Sequence, residues 1–253
     1  MTLLNDADKI YLGATEADAV YLGATKIWPS VFDPTSIAGL TMWLDASTLS
    51  AAPGAMISAW PDISGNGRTV NIIGTPALII SPILKNANKV VRFTLGQARV
   101  RATGLDVDKD YTLVYVARMW GSSAGRIASA SYPPANVLFG WWNGFEGAAY
   151  AGGFLLPDTK VAQTTNWKMY SADAATLPAY RPRLFSNGVF LTGDGTVATT
   201  DGWGANFNLS GYTASTSDET CDCEVAEVVL YNRKLSDADR QQVEDYLRTK
   251  WGF

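Results

Sequence analysis

Glu224-Val225-Ala226-Glu227-Val228-Val229-Leu230-Tyr231-Asn232-Arg233-Lys234-Leu235-Ser236, running on through Val243, Tyr246, Leu247 and Trp251 to Gly252-Phe253, decides the fold. Its first eight residues are β-branched or apolar with two carboxylates between them, the composition of a strand. Alternate residues of a strand point to opposite sides, which puts Glu224 and Glu227 on opposite faces. Asn232-Arg233-Lys234 turns the chain, and Ser236 with Asp239 three residues on has the form of a capping box. Val243, Tyr246, Leu247 and Trp251 then recur at helical spacing, with Asp245, Arg248 and Lys250 between them. Arg240, Glu244 and Arg248 add i,i+4 charge pairs, and Gly252 stands where a helix C-terminus favours glycine. The chain therefore ends in one strand followed by one amphipathic helix.

Working outward, the preceding text is a series of short strands. Leu40–Asp45 alternates with Leu40, Met42 and Leu44 on one side, as a first sandwich strand would. Further strands are expected at Val70–Ile73, Ala77–Ile80, Lys89–Leu95, Ala98–Ala102, Ile127–Ser131, Val137–Trp142, Ala149–Leu155 and Lys168–Ser171. Within Ala98–Ala102, Arg99 and Arg101 share one face and mark it as solvated. Tyr111–Met119 is apolar on both sides, as a central strand is. Ser186-Asn187-Gly188 between Arg183–Phe185 and Val189–Leu191 is a hairpin signal. Thr196–Thr199 and Phe207–Tyr212 complete the run before the final strand. About a dozen short strands and one late helix fit an all-β, two-sheet antiparallel sandwich. No stretch offers the strand–helix alternation of an α/β fold.

Three ordered motifs carry a resemblance: Val225 to Ser236 with its helix, the loop Trp60-Pro61-Asp62-Ile63-Ser64-Gly65-Asn66-Gly67, and Leu184-Phe185-Ser186-Asn187-Gly188-Val189-Phe190-Leu191. Together they resemble the laminin-G-like, concanavalin A-like domains of bacteria and phages, over roughly residues 35 to 253. The resemblance implies a jelly-roll sandwich with Glu227 as a framework residue. It leaves function open, because that fold hosts lectins, glycan hydrolases and structural modules.

The first thirty residues are different material. Ala7-Asp8-Lys9-Ile10-Tyr11-Leu12-Gly13-Ala14-Thr15 is echoed by Ala17-Asp18-Ala19-Val20-Tyr21-Leu22-Gly23-Ala24-Thr25. Each unit is a short β run closed by Gly-Ala-Thr, and Lys26-Ile27-Trp28 adds a last strand before Pro29. Ladders this small need neighbours: the rest of the domain, sister copies or another protein. Tyr21-Leu22-Gly23-Ala24-Thr25-Lys26-Ile27-Trp28 resembles segments of tailed-phage virion proteins. Residues 1–30 are thus expected to be an attachment or oligomerisation segment working through Tyr11, Leu12, Tyr21, Leu22, Ile27 and Trp28. Residues 31–253 are expected to form the sandwich.

Composition narrows the chemistry. A chain of 253 residues with net charge −4 lacks the basic excess that nucleic acid or an anionic membrane surface attracts. No apolar run reaches the length of a membrane span. The acidic start, Asn5-Asp6-Ala7-Asp8, lacks the basic region and apolar core of a secretory signal. Synthesis in a host cytoplasm followed by residence in a virion is the expectation. Cys221 and Cys223 are too close in sequence for a relaxed disulfide and too few for a metal cage. They read as a soft-metal half-site or as two small residues beside a strand. The sequence contains 0 histidines, which excludes Ser-His-Asp and Cys-His catalysis and leaves paired carboxylates as the common hydrolytic machinery.

Glycan-cleaving members of the concanavalin A-like group carry Glu-x-Asp-x-Glu on a strand, since retaining hydrolysis needs two carboxylates about 5 Å apart. Glu219-Thr220-Cys221-Asp222-Cys223-Glu224 has the wrong spacing, so no catalytic residue is assigned. Trp141-Trp142-Asn143-Gly144-Phe145 and Asp201-Gly202-Trp203-Gly204 put flat rings in glycine-rich text. Trp141, Trp142, Asn143 and Trp203 are the candidate carbohydrate-binding residues, with Trp120 and Tyr132 from adjoining turns. The same rings suit a core or a subunit contact better than a sugar. Asp158, Asp194 and Asp201 offer oxygen ligands of the kind calcium takes, or are ordinary turn residues. No other cofactor is expected. The leading expectation is a non-enzymatic virion structural protein, a fibre, spike or decoration module. It would associate with other virion proteins and with its own copies, as a trimer for example, and adhere to host or environmental glycans. The alternatives are a glycan-degrading enzyme on the same fold and a bacterial surface lectin.

Overall fold

The computed structural model describes residues 10–12, 14–16, 20–22, 25–28, 32–74, 78–85, 88–121, 125–132, 135–151, 153–154, 161–175, 182–192, 203, 206–212 and 219–252. Two small antiparallel hairpins open it. β1 (Tyr11–Leu12) pairs β2 (Thr15–Glu16), and β3 (Val20–Leu22) pairs β4 (Thr25–Trp28). The threonine closing each Gly-Ala-Thr repeat starts a return strand, so the sequence echo is a repeated hairpin.

The strands that follow are β5 (Leu40–Asp45), β6 (Met56–Ile57), β7 (Ala59–Pro61), β8 (Thr69–Gly74), β9 (Leu78–Lys85), β10 (Asn88–Phe93) and β11 (Ala98–Ala102). Next come β12 (Tyr111–Met119), β13 (Ala128–Tyr132), β14 (Ala135–Trp142), β15 (Phe145–Ala151) and β16 (Val161–Ala162). The chain closes with β17 (Lys168–Ala174), β18 (Arg183–Ser186), β19 (Val189–Thr192), β20 (Phe207–Leu209), β21 (Cys223–Tyr231) and the helix α1 (Asp237–Trp251). They form two antiparallel sheets. One runs β19-β18-β17-β12-β21-β10-β9-β6, with β5 pairing the second half of β21; the other runs β16-β15-β14-β13-β20-β11-β8-β7. The expected all-β sandwich with a late helix is the fold observed, and β12 lies at the middle of its sheet, beside β21, as its two-sided apolar text required. The strand expected at Thr196–Thr199 lies outside the described residues.

Inward-pointing residues of both sheets, joined by Trp203 from outside the strands, make the main core: Met42, Leu44, Trp60, Phe93, Leu113, Tyr115, Phe139, Trp141, Phe207, Val228 and Leu230 among them. A second cluster forms on the outer side of the first sheet, where α1 lays Val243, Leu247 and Trp251 on Val114, Val116, Met169, Val229 and Tyr231. Each aliphatic side chain so buried contributes on the order of 1.5–3 kcal/mol. The helix ends are sealed as the sequence indicates. Ser236 Oγ accepts the Asp239 N–H at 3.0 Å, and Gly252 takes a left-handed φ of 72° while its N–H returns to the Arg248 carbonyl. Among the described residues no helix is long and apolar enough to cross a membrane.

Two expectations about faces need correction. Glu224 and Glu227 share the outer face of the first sheet. The register of β12 against β21 slips between Val116 and Ala117, so that Val116 faces Glu227 and Ala117 faces Val225. This β-bulge adds one residue to β21 and resets its alternation. Arg99, expected on a solvated face, is fully buried, and Arg101 beside it is half-buried. At that row the outer surface of the second sheet is covered.

Candidate ligand-binding site

The candidate aromatic residues divide by the pleat. β14 ends Phe139-Gly140-Trp141-Trp142, and alternation sends Phe139 and Trp141 inward and Trp142 outward. Trp141 is buried against Tyr170, ring centroids 4.7 Å apart and nearly perpendicular. Trp203 is equally buried, between Tyr111 at 4.7 Å and a stack on Phe139 and Phe207. Both are core residues, so neither presents a ring to a ligand, because the space their faces see is filled by other rings. Trp142 is half-buried, and Asn143 is exposed at the tip of the β14–β15 hairpin. That tip is a two-residue Asn-Gly turn with φ of 49° at Asn143 and 82° at Gly144. The glycine-rich text around Trp142 is therefore a tight hairpin, not a loose loop.

Around Trp142 the second sheet gathers a patch that the sequence did not single out. Phe154, half-exposed, lies 6.5 Å from Trp142 and packs edge-on to Tyr150 at 5.0 Å. The Arg126 guanidinium lies over the Trp142 ring at 5.1 Å and over the Tyr212 ring at 4.3 Å. It also donates to Asn136 Oδ1 at 2.6 Å and pairs with Glu219. Ring contacts and hydrogen bonds together fix Arg126 behind the aromatic surface and hold Trp142 in one orientation. An outward flat ring, a second exposed ring and polar groups at their margin can stack on a sugar's C–H face and bind its hydroxyls. The sequence reading puts Phe154 inside a strand at Ala149–Leu155; β15 instead runs from Phe145 to Ala151, and an isolated bridge between Tyr150 and Phe154 brings the ring here.

The carboxylates are organised differently. Glu227 is fully buried under α1 and accepts from Trp43 Nε1 at 2.7 Å, Tyr246 Oη at 2.9 Å and Trp251 Nε1 at 2.7 Å, with Lys250 Nζ at 2.7 Å. Asp45 stands opposite it in register and shares Lys250 at 2.5 Å. Burial, then the nearby Asp45 charge, push the Glu227 carboxyl above its ordinary value. Two adjacent acids, one with a raised pKa, is the arrangement that general acid–base chemistry uses. Here the pair lies beneath a helix: Glu227 is occupied by three N–H or O–H donors and one ammonium, and Asp45 by the same ammonium and two donors of Ser47, so no substrate bond can enter between them. Glu146, inward at one end of the sandwich, pairs with Lys168 and accepts from Thr164 N–H at 3.3 Å. Burial and the Glu146 charge push the Tyr170 phenol up. Glu224 is buried between Arg92 and Arg118, and Asp173 takes a bidentate pair of bonds from Arg183, both at 2.7 Å.

The remaining motifs are structural. Asp62 Oδ1 accepts the Trp43 N–H at 2.8 Å and the Ser64 N–H at 3.0 Å, and Asn66 Nδ2 donates to the Leu40 and Thr41 carbonyls. The Trp60–Gly67 loop thus clamps the start of β5. Cys221 and Cys223 are free and buried in the main core, and burial followed by its neighbour Cys221 pushes the Cys223 thiol up. Among the described residues no group of three or more potential metal ligands comes together. Asp158, Asp194 and Asp201 lie outside the described residues, as do the side chains of Leu12, Tyr21, Leu22, Ile27, Trp28 and Tyr132. Tyr11 is exposed. Trp120 is half-buried at the end of β12, on the sheet opposite Trp142.

No family model matches this chain, and no curated protein matches it in sequence. Solved structures do share its fold. Domain 4 of AbnA, an extracellular GH43 arabinanase from Geobacillus stearothermophilus determined in complex with arabinotriose, superposes with a TM-score of 0.56 at 17% identity. That match covers 82% of this chain and 97% of the domain. Trypanosoma rangeli sialidase in complex with sialic acid gives 0.55 at 13% identity, over 84% of this chain and 33% of the sialidase chain. The botulinum neurotoxin type G receptor-binding domain gives 0.52 at 11% identity, over 82% of this chain and 51% of that chain. This chain therefore spans a whole domain of the first, about a third of the second and about half of the third. At these identities the likeness is one of fold: a concanavalin A-like, jelly-roll sandwich shared with domains of glycosidases and of a toxin.

Proposed function

We propose that this chain is a non-hydrolytic glycan-binding sandwich of a tailed-phage particle, adhering to host or environmental saccharide through the Trp142 face of its second sheet. The observation that carries the reading is the outward Trp142 ring, braced by Arg126 and extended by Phe154 and Tyr150. Water does not compete well for such a surface, whereas the apolar face of a pyranose or furanose does. The neighbouring Asn143 amide and Asn136 supply polar margins. The domain of similar extent that was determined with arabinotriose supports saccharide binding by this sandwich. The occupation of Glu227, Asp45, Glu224, Asp173 and Glu146 by cations and donors supports the non-hydrolytic part of the reading. The virion setting rests on the Tyr-Leu-Gly-Ala-Thr-Lys-Ile-Trp segment at 21–28 and its repeated hairpins, which would join the module to other virion proteins and to further copies. Many copies on one particle convert weak contacts into avidity.

The test is a glycan array followed by titration of the best saccharide, with arabinotriose included as a probe. Trp142→Ala should weaken binding by roughly tenfold or more, the scale of losing one central aromatic contact. Its thermal unfolding should stay close to that of the unaltered chain, because Trp142 is not part of the core. Unchanged affinity in a folded Trp142→Ala variant, or no saccharide bound at all, would overturn the reading. Appearance of new reducing ends on incubation with polysaccharide would replace it with the glycan-cleaving alternative.

A further inference from the structure

The outer face of the first sheet is only partly covered by α1. Beyond the helix, three adjacent strands present one aligned row, Arg92 on β10, Glu224 on β21 and Arg118 on β12. Glu224 is wholly buried; the Arg92 and Arg118 side chains keep 34% and 20% of their surface and so can be reached from solvent. Glu224 Oε1 takes Nε and Nη2 of Arg92, and Oε2 takes Nε of Arg118 at 2.8 Å. Both terminal amino groups of Arg118 have no hydrogen-bond partner among the described residues. The Arg118 guanidinium lies over the Trp167 ring, 5.2 Å from its centre, and that of Arg92 lies over the Trp120 ring at 4.7 Å; the Trp167 ring also packs on the cluster under α1. Trp167 is half-buried, and Thr165 and Asn166 just before it are exposed.

From this geometry we infer a second binding site, centred on Arg118 and Trp167, for a saccharide that carries a carboxylate. The forked end of a guanidinium matches a carboxylate with two parallel N–H bonds. One arginine alone would do this poorly on an open surface, because its side chain would first have to be immobilised. Glu224 removes that cost by holding Arg118 through Nε, with the fork left over. Trp167, packed on the cluster under α1, braces the guanidinium and leaves its exposed part beside the fork for the ring that bears the acid, and Thr165 and Asn166, exposed just before it in the chain, offer polar groups to hydroxyls. Two guanidiniums on one carboxylate leave the row with one net positive charge. The acid Asp222 belongs to the next row, beside Trp120, where its Oδ1 accepts the Leu95 N–H at 2.9 Å. The fork left over on Arg118 lies at the Trp167 end, so that end takes the carboxylate. This site is independent of the Trp142 platform, which lies on the other sheet.

The experiment titrates the full chain with tri-galacturonic acid and with its methyl ester, a neutral counterpart of nearly the same shape. The acid should bind roughly tenfold tighter than the ester, with affinity falling as sodium chloride is raised. Arg118→Lys keeps a cation on Glu224 but removes the fork, and it should abolish the preference for acid over ester. Should that variant fail to fold, the indole N–H resonance of Trp167 in the unaltered chain decides instead. Assigned with Trp167→Phe, it should shift on adding the acid and not on adding the ester. Equal affinity for acid and ester, no binding of the acid, an unchanged preference in folded Arg118→Lys, or a Trp167 resonance that ignores the acid would each overturn the inference.

Discussion

Glu227 explains why the last helix sits where it does. Its two oxygens collect Trp43 from β5, Tyr246, Lys250 and Trp251 from α1, and the residue itself belongs to β21. One buried carboxylate thereby fixes a strand, its neighbour and a helix in a single geometry. Glu227→Gln keeps the size but presents an amide NH2 group to donors. It should cost about 1–3 kcal/mol, the range for leaving buried partners unsatisfied. Equilibrium denaturant unfolding at neutral pH measures the loss. The pH dependence has a definite sign. The folded-state pKa of Glu227 is raised above the ordinary 4.5, so between these values the folded chain holds a proton that the unfolded chain has released. The contribution of Glu227 to stability is thus complete below about pH 4.5 and declines as pH rises through the folded-state value. The stability difference between the unaltered chain and Glu227→Gln should narrow over that window; a gap that widens with pH would contradict the assignment.

Elements came through the sequence wherever a local signal was strong. The last strand, its helix and both helix caps were legible because period, cap residues and terminal glycine agree. The Asn187-Gly188 hairpin was legible from its dipeptide, and it forms with φ of 50° and 84° at those residues. The equivalent Asn143-Gly144 turn carries the same signal, yet tryptophans beside glycine-rich text also suit a ligand-binding loop, so the dipeptide alone does not decide between them. Trp141 and Trp142 are adjacent and chemically identical; only the pleat separates a core ring from a surface ring, and the phase of a pleat depends on pairing across the sheet. The phase error at Glu224 has the same origin, since a bulge opposite Val116 leaves no mark in the text. Phe154, Arg126 and Tyr212 come from separate segments, and no spacing rule links them. The loop at Trp60–Gly67 was recognised as a motif, and the structure supplies its purpose. Asp62 closes the backbone N–H of Trp43 on β5 while ordering its own turn through Ser64. Asp62→Ala should remove about 1–3 kcal/mol by orphaning that N–H. In a domain of this size each kcal/mol lowers Tm by about 2–4 °C. Scanning calorimetry checks it, and an unchanged Tm would show that the loop is ornament rather than clamp.

At the scale of the whole molecule, the sandwich and the opening hairpins answer to different physics. The buried set of described residues begins at Pro34 and Ile37, and both apolar clusters draw on residues from Phe32 onward. β1–β2 and β3–β4 are separate two-stranded sheets that join neither large sheet. Such ladders are marginal in water on their own, and Tyr11 keeps 55% of its surface exposed; under the proposed attachment role a partner would cover this end. Removing residues 1–31 should accordingly leave the sandwich folded, with stability changed by no more than about 0.5 kcal/mol, as for a change that touches no core contact. The same deletion should reduce the assembly state. Light scattering coupled to size exclusion would show the full chain as an oligomer and the truncated chain as a monomer, each at matched concentration. Calorimetry on the same samples separates the two roles. If truncation lowers Tm steeply while both forms are monomeric, the hairpins belong to the sandwich and the attachment role is lost. If both forms are oligomers of the same size with the same Tm, the contact between copies lies on the sandwich itself. The edge strand β19, with Val189 and Phe190 exposed beside Phe185, would then be the surface to mutate.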